Sequence, residues 1–516
     1  MRTSKTTKNI DPEYGYGPPG ARKRLVPLAL AALLALETML AGCTVGPNYA
    51  APSAPNAARF TETPVSTRTA SADTTAGAAQ TLVEGRDIPG DWWMLFHSTQ
   101  INALVARALK ANPTVAAAQA TLQQARENTR AEQGSLFPQI SASTSGEREH
   151  NTLTSPVPTT YNVVSGSLSV SYTLDAFGGV RRQVEQLSAQ AEYERYELEA
   201  TELTLIANVV NAAINEASLQ AQIDTTHEII RAYRDALDVT RHRFELGGVS
   251  QVDVLQQQSL LDERIATLPG LQKQIEQQRN QLAVYLGGLP SEYDAPTLDL
   301  ASLVLPEELP VSLPSSLVAQ RPDIQAYGAL LHSATANVGV AVANMLPQIS
   351  LTGSYGRDGS SYSNLFNPAG IVWSIAGSLS QPVFEGGALK AKKRAADAAV
   401  DVAAAQYSST VNSAFQDVAN ALVAINRDAQ TLAANLETQK TAAASLEVAQ
   451  AQYRAGAGTY LNVLNAEQSD QSARLTLISS QATRYTDTVA LFQALGGGWW
   501  HRNDVDPKVA QCCGAF

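Results

Sequence analysis

Apolar and polar side chains alternate along four segments of this chain. In residues 164–174, mostly Val, Leu and Tyr take every second position and Ser or Thr take the others, which is typical of a strand with one apolar and one polar face. Residues 371–380 repeat the pattern, and residues 140–146 and 349–356 carry weaker forms of it. The connecting segments are rich in Pro, Asn, Ser and Gly, as turns are. We therefore predict two hairpins with strands of roughly ten residues.

Helical periodicity fills most of the remainder. Residues 180–246 and 388–455 contain no proline, so each can form one helix of about 67 residues, on the order of 100 Å long. The first is the looser of the two, with Glu216 among its seam positions. The second has a heptad seam formed by Phe415, Val418, Leu422, Ile425, Ala429, Leu432 and Leu436. Shorter helices are predicted over residues 101–134, 249–286, 315–344 and 459–495.

The second half of the chain repeats the first half 209 positions later. Leu-Phe-Pro-Gln-Ile-Ser at 136–141 returns as Met-Leu-Pro-Gln-Ile-Ser at 345–350, and the glycines that follow the long helices keep the same offset. A period this long excludes a solenoid. The chain therefore contains two copies of one unit, roughly residues 100–288 and 310–497, and any site in one copy has a counterpart in the other.

The length of the strands leaves two interpretations open. Strands of roughly ten residues cross a bilayer when tilted, but they also suit a soluble four-stranded sheet. If they span lipid, four strands cannot close a barrel, and they leave edges that lipid does not tolerate. Two chains would then share eight strands, or three chains twelve.

The N-terminal segment has the features of a secretory signal. Three basic residues at 22–24 precede an apolar run over residues 25–36, which is too short to span a bilayer comfortably. The segment ends in Leu-Ala-Gly-Cys, which resembles a bacterial lipobox, and there Cys43 would become the lipidated first residue of the mature protein. A plain signal peptide with an accidental cysteine is the alternative. We expect residues 1–42 to be a lipoprotein signal peptide and residues 43–90 to be an extended tether.

Composition and charge narrow the class of function. The formal net charge is −11 and no stripe of Lys or Arg occurs, so nucleic acid is not an expected partner. Charged residues make up 16% of the chain, against about 25% in typical proteins, which suits long, closely packed helices. Cys512 and Cys513 build no disulfide framework across the body of the chain, and we assign them no role.

No catalytic or cofactor-binding motif is visible. The six histidines show no zinc spacing. Neither a Gly-x-Ser-x-Gly elbow nor a phosphate-binding Gly-rich loop occurs. Asp253 and Glu245 near the first glycine turn could form an acid pair, although solvated helix-end charges are the simpler interpretation. We predict that the chain is not an enzyme and has no cofactor, so any transport it supports draws its energy from elsewhere.

Several segments together resemble a known family. They are Leu-Ala-Gly-Cys at 40–43, Asp-Trp-Trp at 91–93, the two Pro-Gln-Ile-Ser segments, Asp-Ala-Phe-Gly-Gly at 175–179 with Phe-Glu-Gly-Gly at 384–387, the stretch 453–466, and Ala-Leu-Gly-Gly-Gly-Trp at 494–499. They resemble the TolC-like outer-membrane efflux proteins, specifically the lipoprotein channels of tripartite RND-type efflux systems (NodT subfamily). The resemblance covers about residues 40–500.

The resemblance implies a fold and a set of partners. The fold class would be mainly α with a small β-barrel: a long antiparallel coiled-coil tunnel, four membrane strands per chain, an internal two-fold repeat and a barrel shared by a homotrimer. The protein would be lipid-anchored in the outer membrane and extend into the periplasm. It would pass drugs or other toxic compounds passively from an inner-membrane RND-type pump and a periplasmic adaptor to the outside. The repeats would occupy residues 91–300 and 301–498, and residues 499–516 would be a flexible tail.

The resemblance also places a gate and an adaptor contact at the glycine turns. The tip and adaptor contacts would be Gly247, Gly248, Gly456, Gly458 and Thr459. The periplasmic gate would comprise Leu461, Asn462, Asn465 and Asp253. The family often has Asp four residues after this Leu, and Asn465 stands there instead, so an anionic ring is in doubt while an apolar constriction at Leu461 is retained. Leu461 could instead pack inside its own helix bundle.

Two other classes of protein compete with the efflux channel. A membrane-anchored coiled-coil structural protein of a secretion assembly would share the long helices but lack the four alternating strands. An autonomous porin would need many more strands in one chain. The sequence identifies neither the transported substrate nor the cognate pump and adaptor.

Overall fold

The protein was analysed as a computed structural model. The structure describes residues 44–151, 159–296, 298–363 and 370–502. Cys43, the predicted signal peptide, Cys512 and Cys513 lie outside these ranges, so the predictions made for them stay predictions. The chain forms two compact units. We call the described part of residues 135–182 and 339–390, together with residues 44–46, the sheet unit, and the other described residues the helical unit.

Strands and helices are numbered here in chain order. The strands are β1 (Thr81–Glu84), β2 (Gln139–Asn151), β3 (Thr159–Leu174), β4 (Glu308–Val311), β5 (Gln348–Gly359) and β6 (Ile371–Ser380). The helices are α1 (Thr99–Ala111), α2 (Pro113–Gln133), α3 (Gly179–Glu245), α4 (Gln251–Tyr285), α5 (Pro314–Gln320), α6 (Pro322–Ala343), α7 (Ala388–Arg454) and α8 (Tyr460–Ala494). Short 3₁₀ turns at Trp92–Phe96 and Trp499–His501 flank this set. No helix among the described residues is both long and apolar enough to cross a bilayer.

The sheet unit contains the four predicted strands in one antiparallel sheet, in the order β2-β3-β5-β6. The register confirms the predicted alternation, because most partners across the sheet have the same polarity. Ile140 lies opposite Val170 on one face, and Ser354 lies opposite Ser374 on the other, where their hydroxyls are 2.8 Å apart. The serines therefore form a polar ladder on one face only.

The opposite face of the sheet is apolar and exposed in the single chain. Its exposed side chains include Ile140, Leu168, Tyr355, Trp373, Ile375 and Leu379. A contiguous apolar surface of this kind indicates contact with lipid or protein rather than water. Within the described strands, β2 and β6 each pair with one neighbour only, so both outer edges of the sheet have backbone groups that remain available for pairing.

The long helices of the helical unit match the prediction closely. Helices α3 and α7 both contain 67 residues, and the predicted seam of α7 is buried from Val418 to Leu436. The matching seam of α3 includes Glu216, which is also buried. Its carboxylate accepts hydrogen bonds from Arg279 Nε at 2.8 Å and from the Tyr293 hydroxyl at 2.9 Å. This pairing is what allows a charge to lie in the seam.

Two of the shorter helices are broken where the prediction had them continuous. The breaks fall at Asn112 and Arg321, each of which precedes a proline and has extended backbone, as steric contact with a proline ring requires. Both residues anchor the break in the same way. Asn112 Nδ2 donates to Tyr285 O at 3.0 Å, and Arg321 Nη1 donates to Ala494 O at 3.1 Å. The acceptors are also 209 residues apart, so the two repeats share this joint.

Parts of the segments beyond the repeats are packed within the helical unit, whereas most of residues 44–68 are exposed and have no regular secondary structure, as predicted for an extended segment. Part of the predicted tether forms β1, which pairs in parallel with β4, and Ile88 is fully buried. Trp499 and Trp500 are also buried, so the described part of the predicted tail, residues 499–502, is ordered by packing. Neither result could be predicted from hydrophobic period, because β1 and β4 have only four residues each.

Candidate functional site

The two glycine turns have the same backbone in both repeats. After α3, Gly247 has a φ of +74°, and after α7, Gly456 has a φ of +71°. The next amide in each turn closes back onto the helix: Gly248 N donates to Arg243 O at 2.7 Å, and Ala457 N donates to Gln452 O at 2.9 Å. Glycine is the residue that adopts this left-handed conformation without strain. We call these turns and the flanking helix ends, residues 229–268 and 439–475, the tip.

Close packing explains a second predicted glycine. A Cβ atom at Gly458 would lie 3.2 Å from Gln452 Cβ, a distance at which the neighbour would have to move. Thr459 then begins α8 as its N-cap, with its hydroxyl accepting from Asn462 N at 3.4 Å. The predicted adaptor-contact residues therefore have structural roles in forming the turns.

Asp253 has a structural partner of its own. It forms a capping box at the start of α4, in which its Oδ2 accepts from Ser250 N and from Ser250 Oγ, both at 2.8 Å. Glu245 pairs instead with His242, at 3.3 Å. The structure thus gives the two acids of the proposed acid pair separate partners. Asn462 occupies the position of Asp253 in the second repeat.

Leu461 lies on the first turn of α8 and is 52% exposed in the single chain. Its neighbours Val463 and Leu464 are buried and supply the apolar contacts of this helix. Asn462 and Asn465 are exposed. Leu461 therefore does not pack inside its own helix bundle, and its apolar surface is available to another copy of the chain.

A polar network that the sequence did not predict joins the two repeats at the tip. The Tyr460 hydroxyl donates to Gln257 Oε1 at 2.6 Å and lies 3.3 Å from Thr240 Oγ1. Gln257 is fully buried, and its Nε2 donates to Tyr233 O at 3.4 Å. Burial raises the pKa of Tyr460, and the hydrogen bond with Thr240 opposes that shift. The network fixes the start of α8 against α3 and α4.

An aromatic contact supports this network. The rings of Tyr453 and Tyr460, at either side of the second glycine turn, have centroids 5.2 Å apart. The Arg243 guanidinium lies 5.5 Å from the Tyr453 ring, within range of a cation–π interaction. The signal in the sequence was the pair of tyrosines flanking the Arg-Ala-Gly-Ala-Gly-Thr segment, but their partners come from the other repeat.

The tip also exposes apolar side chains of the first repeat. Leu246 is 87% exposed, and Phe244, Val252 and Leu255 are exposed beside it. Polar contacts do not explain why these apolar side chains are exposed. Several exposed apolar side chains at one place indicate a surface that binds another protein. Among the described residues, no group of three or more His, Cys, Asp and Glu side chains is placed to hold a metal ion.

Comparison with known proteins assigns the family. The model of the outer membrane efflux protein family matches residues 104–288 and 313–497, one match for each repeat. The chain belongs to the outer membrane efflux protein family. The resemblance inferred from the sequence is thereby confirmed, and since the family consists of efflux channels, the chain is an efflux channel of the outer membrane and not an enzyme.

Relatives and solved structures agree with this assignment over nearly the whole chain. The antibiotic efflux pump outer membrane protein ArpC of Pseudomonas putida is 32% identical over 489 residues, which cover 93% of this chain and 96% of ArpC. The cation efflux system protein CusC of Escherichia coli is 28% identical over 471 residues, 89% of this chain and 96% of CusC. The solved structure of the outer-membrane channel OprN has a TM-score of 0.79 at 28% identity and covers 89% of this chain and all of that one.

Proposed function

We propose that this protein is the passive exit duct of a tripartite efflux system and that it is closed at rest at the tip. An inner-membrane RND-type pump would supply the energy, since the sequence has no nucleotide-binding motif. A periplasmic adaptor would connect that pump to the channel. Similarity to ArpC and CusC supports drugs or other toxic compounds as the class of substrate.

The channel is proposed to be a homotrimer. One chain supplies four strands of a sheet whose outer edges, β2 and β6, are unpaired among the described residues, and unpaired backbone is not tolerated in lipid. Three copies would pair these edges into twelve strands, with the apolar face toward lipid and the serine ladder toward the lumen. Native mass measurement of the detergent-solubilised protein is expected to give three copies. A stable folded monomer would contradict the shared barrel.

The gate is proposed to be a ring of three Leu461 side chains. The single observation that carries this assignment is the half-exposed Leu461 on the first turn of α8, next to the buried Val463 and Leu464. Apolar side chains that meet across a narrow pore close it by dewetting, without any salt bridge. Asn462 and Asn465 would add neutral hydrogen bonds, while Asp253 stays in its capping box.

Leakage of large antibiotics into cells tests the gate. Cells producing Leu461→Ala are expected to become more sensitive to antibiotics that are normally too large to cross the outer membrane, because the smaller side chain leaves a gap. The protein level and the trimer band must match those of cells producing the wild-type channel. Unchanged sensitivity at equal trimer content would place the constriction elsewhere.

The adaptor is proposed to bind the exposed apolar residues of the first glycine turn. Leu246 is the most exposed of them, and the backbone conformation of Gly247 and Gly248 holds it at the surface. A photo-reactive residue at Leu246 should crosslink to a periplasmic adaptor in cells. Crosslinks only to other copies of the channel would overturn this assignment.

The lipid anchor at Cys43 also remains part of the proposal. Its support is the position of the cysteine after a basic and then apolar leader. The mass of the mature N-terminal peptide decides the matter, since an unmodified Cys43 or cleavage elsewhere would refute it. A Cys43→Ala protein should still reach the membrane if the strands alone suffice to hold it there.

A further inference from the structure

A carboxyl group lies in the core-facing stripe of α8, close to the gate. Val463 and Leu464 come three and four positions after Tyr460, Glu467 comes three positions after Leu464, and Gln471 comes four positions after Glu467, so these residues share one face of the helix. Val463, Leu464 and Gln471 are buried, and Glu467 is half-buried between them. Glu467 therefore faces the helix bundle of the tip, two turns after the tyrosine that joins the repeats.

No cation among the described residues pairs with the Glu467 carboxyl. Its Oε2 atom is buried without a hydrogen-bond partner, and the side chain that hydrogen-bonds to it is the uncharged Gln450 of α7. Along α8, the nearest charged groups, Asp470 and Arg474, are paired with each other at 2.8 Å. A buried carboxylate without a cation is costly, whereas the neutral acid is not.

The charged groups of α4 that lie nearby act on Tyr233, and neither acts on Glu467 itself. From α3, Tyr233 faces the carboxyl, and Tyr460 faces it from α8. Arg264 and Glu263 of α4 act on Tyr233 with opposite signs. Burial is accordingly the larger influence on the carboxyl and raises the pKa of Glu467 to about 7, against the smaller, opposing hydrogen bond from Gln450.

The matching pair in the first repeat is built differently. Positions 450 and 467 correspond to Arg241 and Gln258, whose side chains also pair, with Arg241 Nη2 donating to Gln258 Oε1 at 2.8 Å. That pair is exposed, and Arg241 lies 3.7 Å from Asp238 as well. The same helix-to-helix contact thus contains a cation and an amide in one repeat, and an amide and a carboxyl in the other.

We propose that Glu467 is a proton-controlled support of the closed tip, packed as the neutral acid and loosening the start of α8 when it ionises. This inference rests on the gate proposed above and concerns how the closed state of that gate is regulated. Since the pKa of the folded group is raised, its contribution to stability is present at low pH and is lost as the pH rises through about 7. Above that pH, the segment that bears Tyr460 and Leu461 would separate from α3 and α4 more often.

Hydrogen exchange of the intact trimer tests the support without relying on conductance. Exchange in peptides covering residues 460–475 would be measured at pH 6 and pH 8 and corrected for the intrinsic rate. In the wild type it should be up to about tenfold faster at pH 8, because the opening equilibrium rises by at most about tenfold per pH unit below the pKa of the folded group and levels off above it. Glu467→Gln cannot ionise, and Gln450→Arg supplies the cation found in the first repeat, so both should show no difference between the two pH values.

A matched control and a second measurement keep the outcomes apart. Glu447→Gln removes an exposed carboxylate of α7 and should behave as the wild type. A wild type that exchanges equally at both pH values, or a Glu467→Gln variant that keeps the pH response, overturns the proposal. If the pH response of hydrogen exchange is lost in Glu467→Gln while Leu461→Ala leaves the conductance unchanged, the gate assignment fails. In that case the proposal that Glu467 is a proton-controlled support stands.

Discussion

At matched seam positions 209 residues apart, the first repeat buries Glu216 and the second buries Ile425. The long helices that carry them have equal lengths. Glu216 is held by Arg279 and Tyr293, and its charge with burial raises the pKa of Tyr293. Glycines, prolines and the spacing of apolar residues thus determine the backbone that the two repeats share. Each repeat then stabilises its interior with different side chains, a hydrogen-bonded carboxylate in the first and an apolar side chain in the second.

A second difference lies in acid groups on α7 and α8. Asp428 and Asp487 of the second repeat are hydrogen-bonded carboxyls, and burial followed by the contact with Asp428 raises the pKa of Asp487 to about 7, with Arg484 opposing. The first repeat has Leu219 and Gln278 at these positions. Among the described residues, Asp487 and Glu467 are the carboxyl groups whose pKa is raised to about 7, and both lie in the second repeat.

Exchanging the seam residues should give the largest effect. Ile425→Glu introduces a carboxyl where the counterpart of Arg279 is Thr488, and the nearby Arg484 guanidinium already donates to Ile425 O at 2.9 Å. The charge therefore lacks the two donors that hold Glu216 and should lower the free energy of unfolding by about 3–5 kcal/mol. Ile425→Val, the matched control, should cost about 0.5–1.5 kcal/mol. Thermal unfolding of the detergent-solubilised protein measures both. Equal melting temperatures for the two variants would show that the seam of α7 is not packed as described.

Removing the acid pair should change the pH dependence of stability. Folded Asp487 keeps its proton between the ordinary pKa of an aspartate and about 7, whereas the unfolded chain does not. This group should therefore lower the stability of the wild type as the pH rises through that range, by at most about 1.4 kcal/mol per pH unit, in addition to the contribution of Glu467. Asp487→Asn should flatten the curve of melting temperature between pH 5 and pH 8. If the variant and the wild type have parallel curves, the pair does not share a proton.

Completing the capping box of the second repeat should have the smallest effect. Asn462→Asp gives α8 the arrangement that Ser250 and Asp253 form at the start of α4, and a capping carboxylate also interacts favourably with the helix dipole. The free energy of unfolding should rise by about 0.5–1 kcal/mol. Asn465→Asp adds the same charge outside the box, so an equal rise in melting temperature for both variants would assign the effect to charge alone.

Much of this architecture could be read from the sequence because local residues encode it. The prediction of one long helix over residues 180–246 agrees with Gly179–Glu245, and the glycine turns were found because left-handed backbone needs glycine. The breaks at Asn112 and Arg321 were missed although each precedes a proline, since the apolar period continues through them. The pairing of β1 with β4 was missed because four residues are too few to establish a period.

The part of the site that was not predicted depends on contacts between repeats. The glycine turns were located from their own segments, and Leu461 was placed at the gate by family resemblance. The bond from Tyr460 to Gln257 joins residues 203 positions apart, in different repeats, and no period or spacing links them. Asp253 was placed at the gate by family resemblance, whereas the structure uses its carboxylate in a local cap. At matched positions of the two repeats, the sequence thus predicted where a side chain lies in the fold but not which residue it contacts.

Single-channel conductance in planar bilayers measures the constriction itself and therefore decides whether Leu461 forms the gate. Leu461→Ala would be compared with wild type and with Val252→Ala, which makes the same kind of truncation at the matching exposed position of the first repeat. With trimer assembly unchanged, the account predicts a higher conductance for Leu461→Ala and a wild-type conductance for Val252→Ala. Wild-type conductance for Leu461→Ala, or an equal increase in both variants, would contradict a gate formed by Leu461.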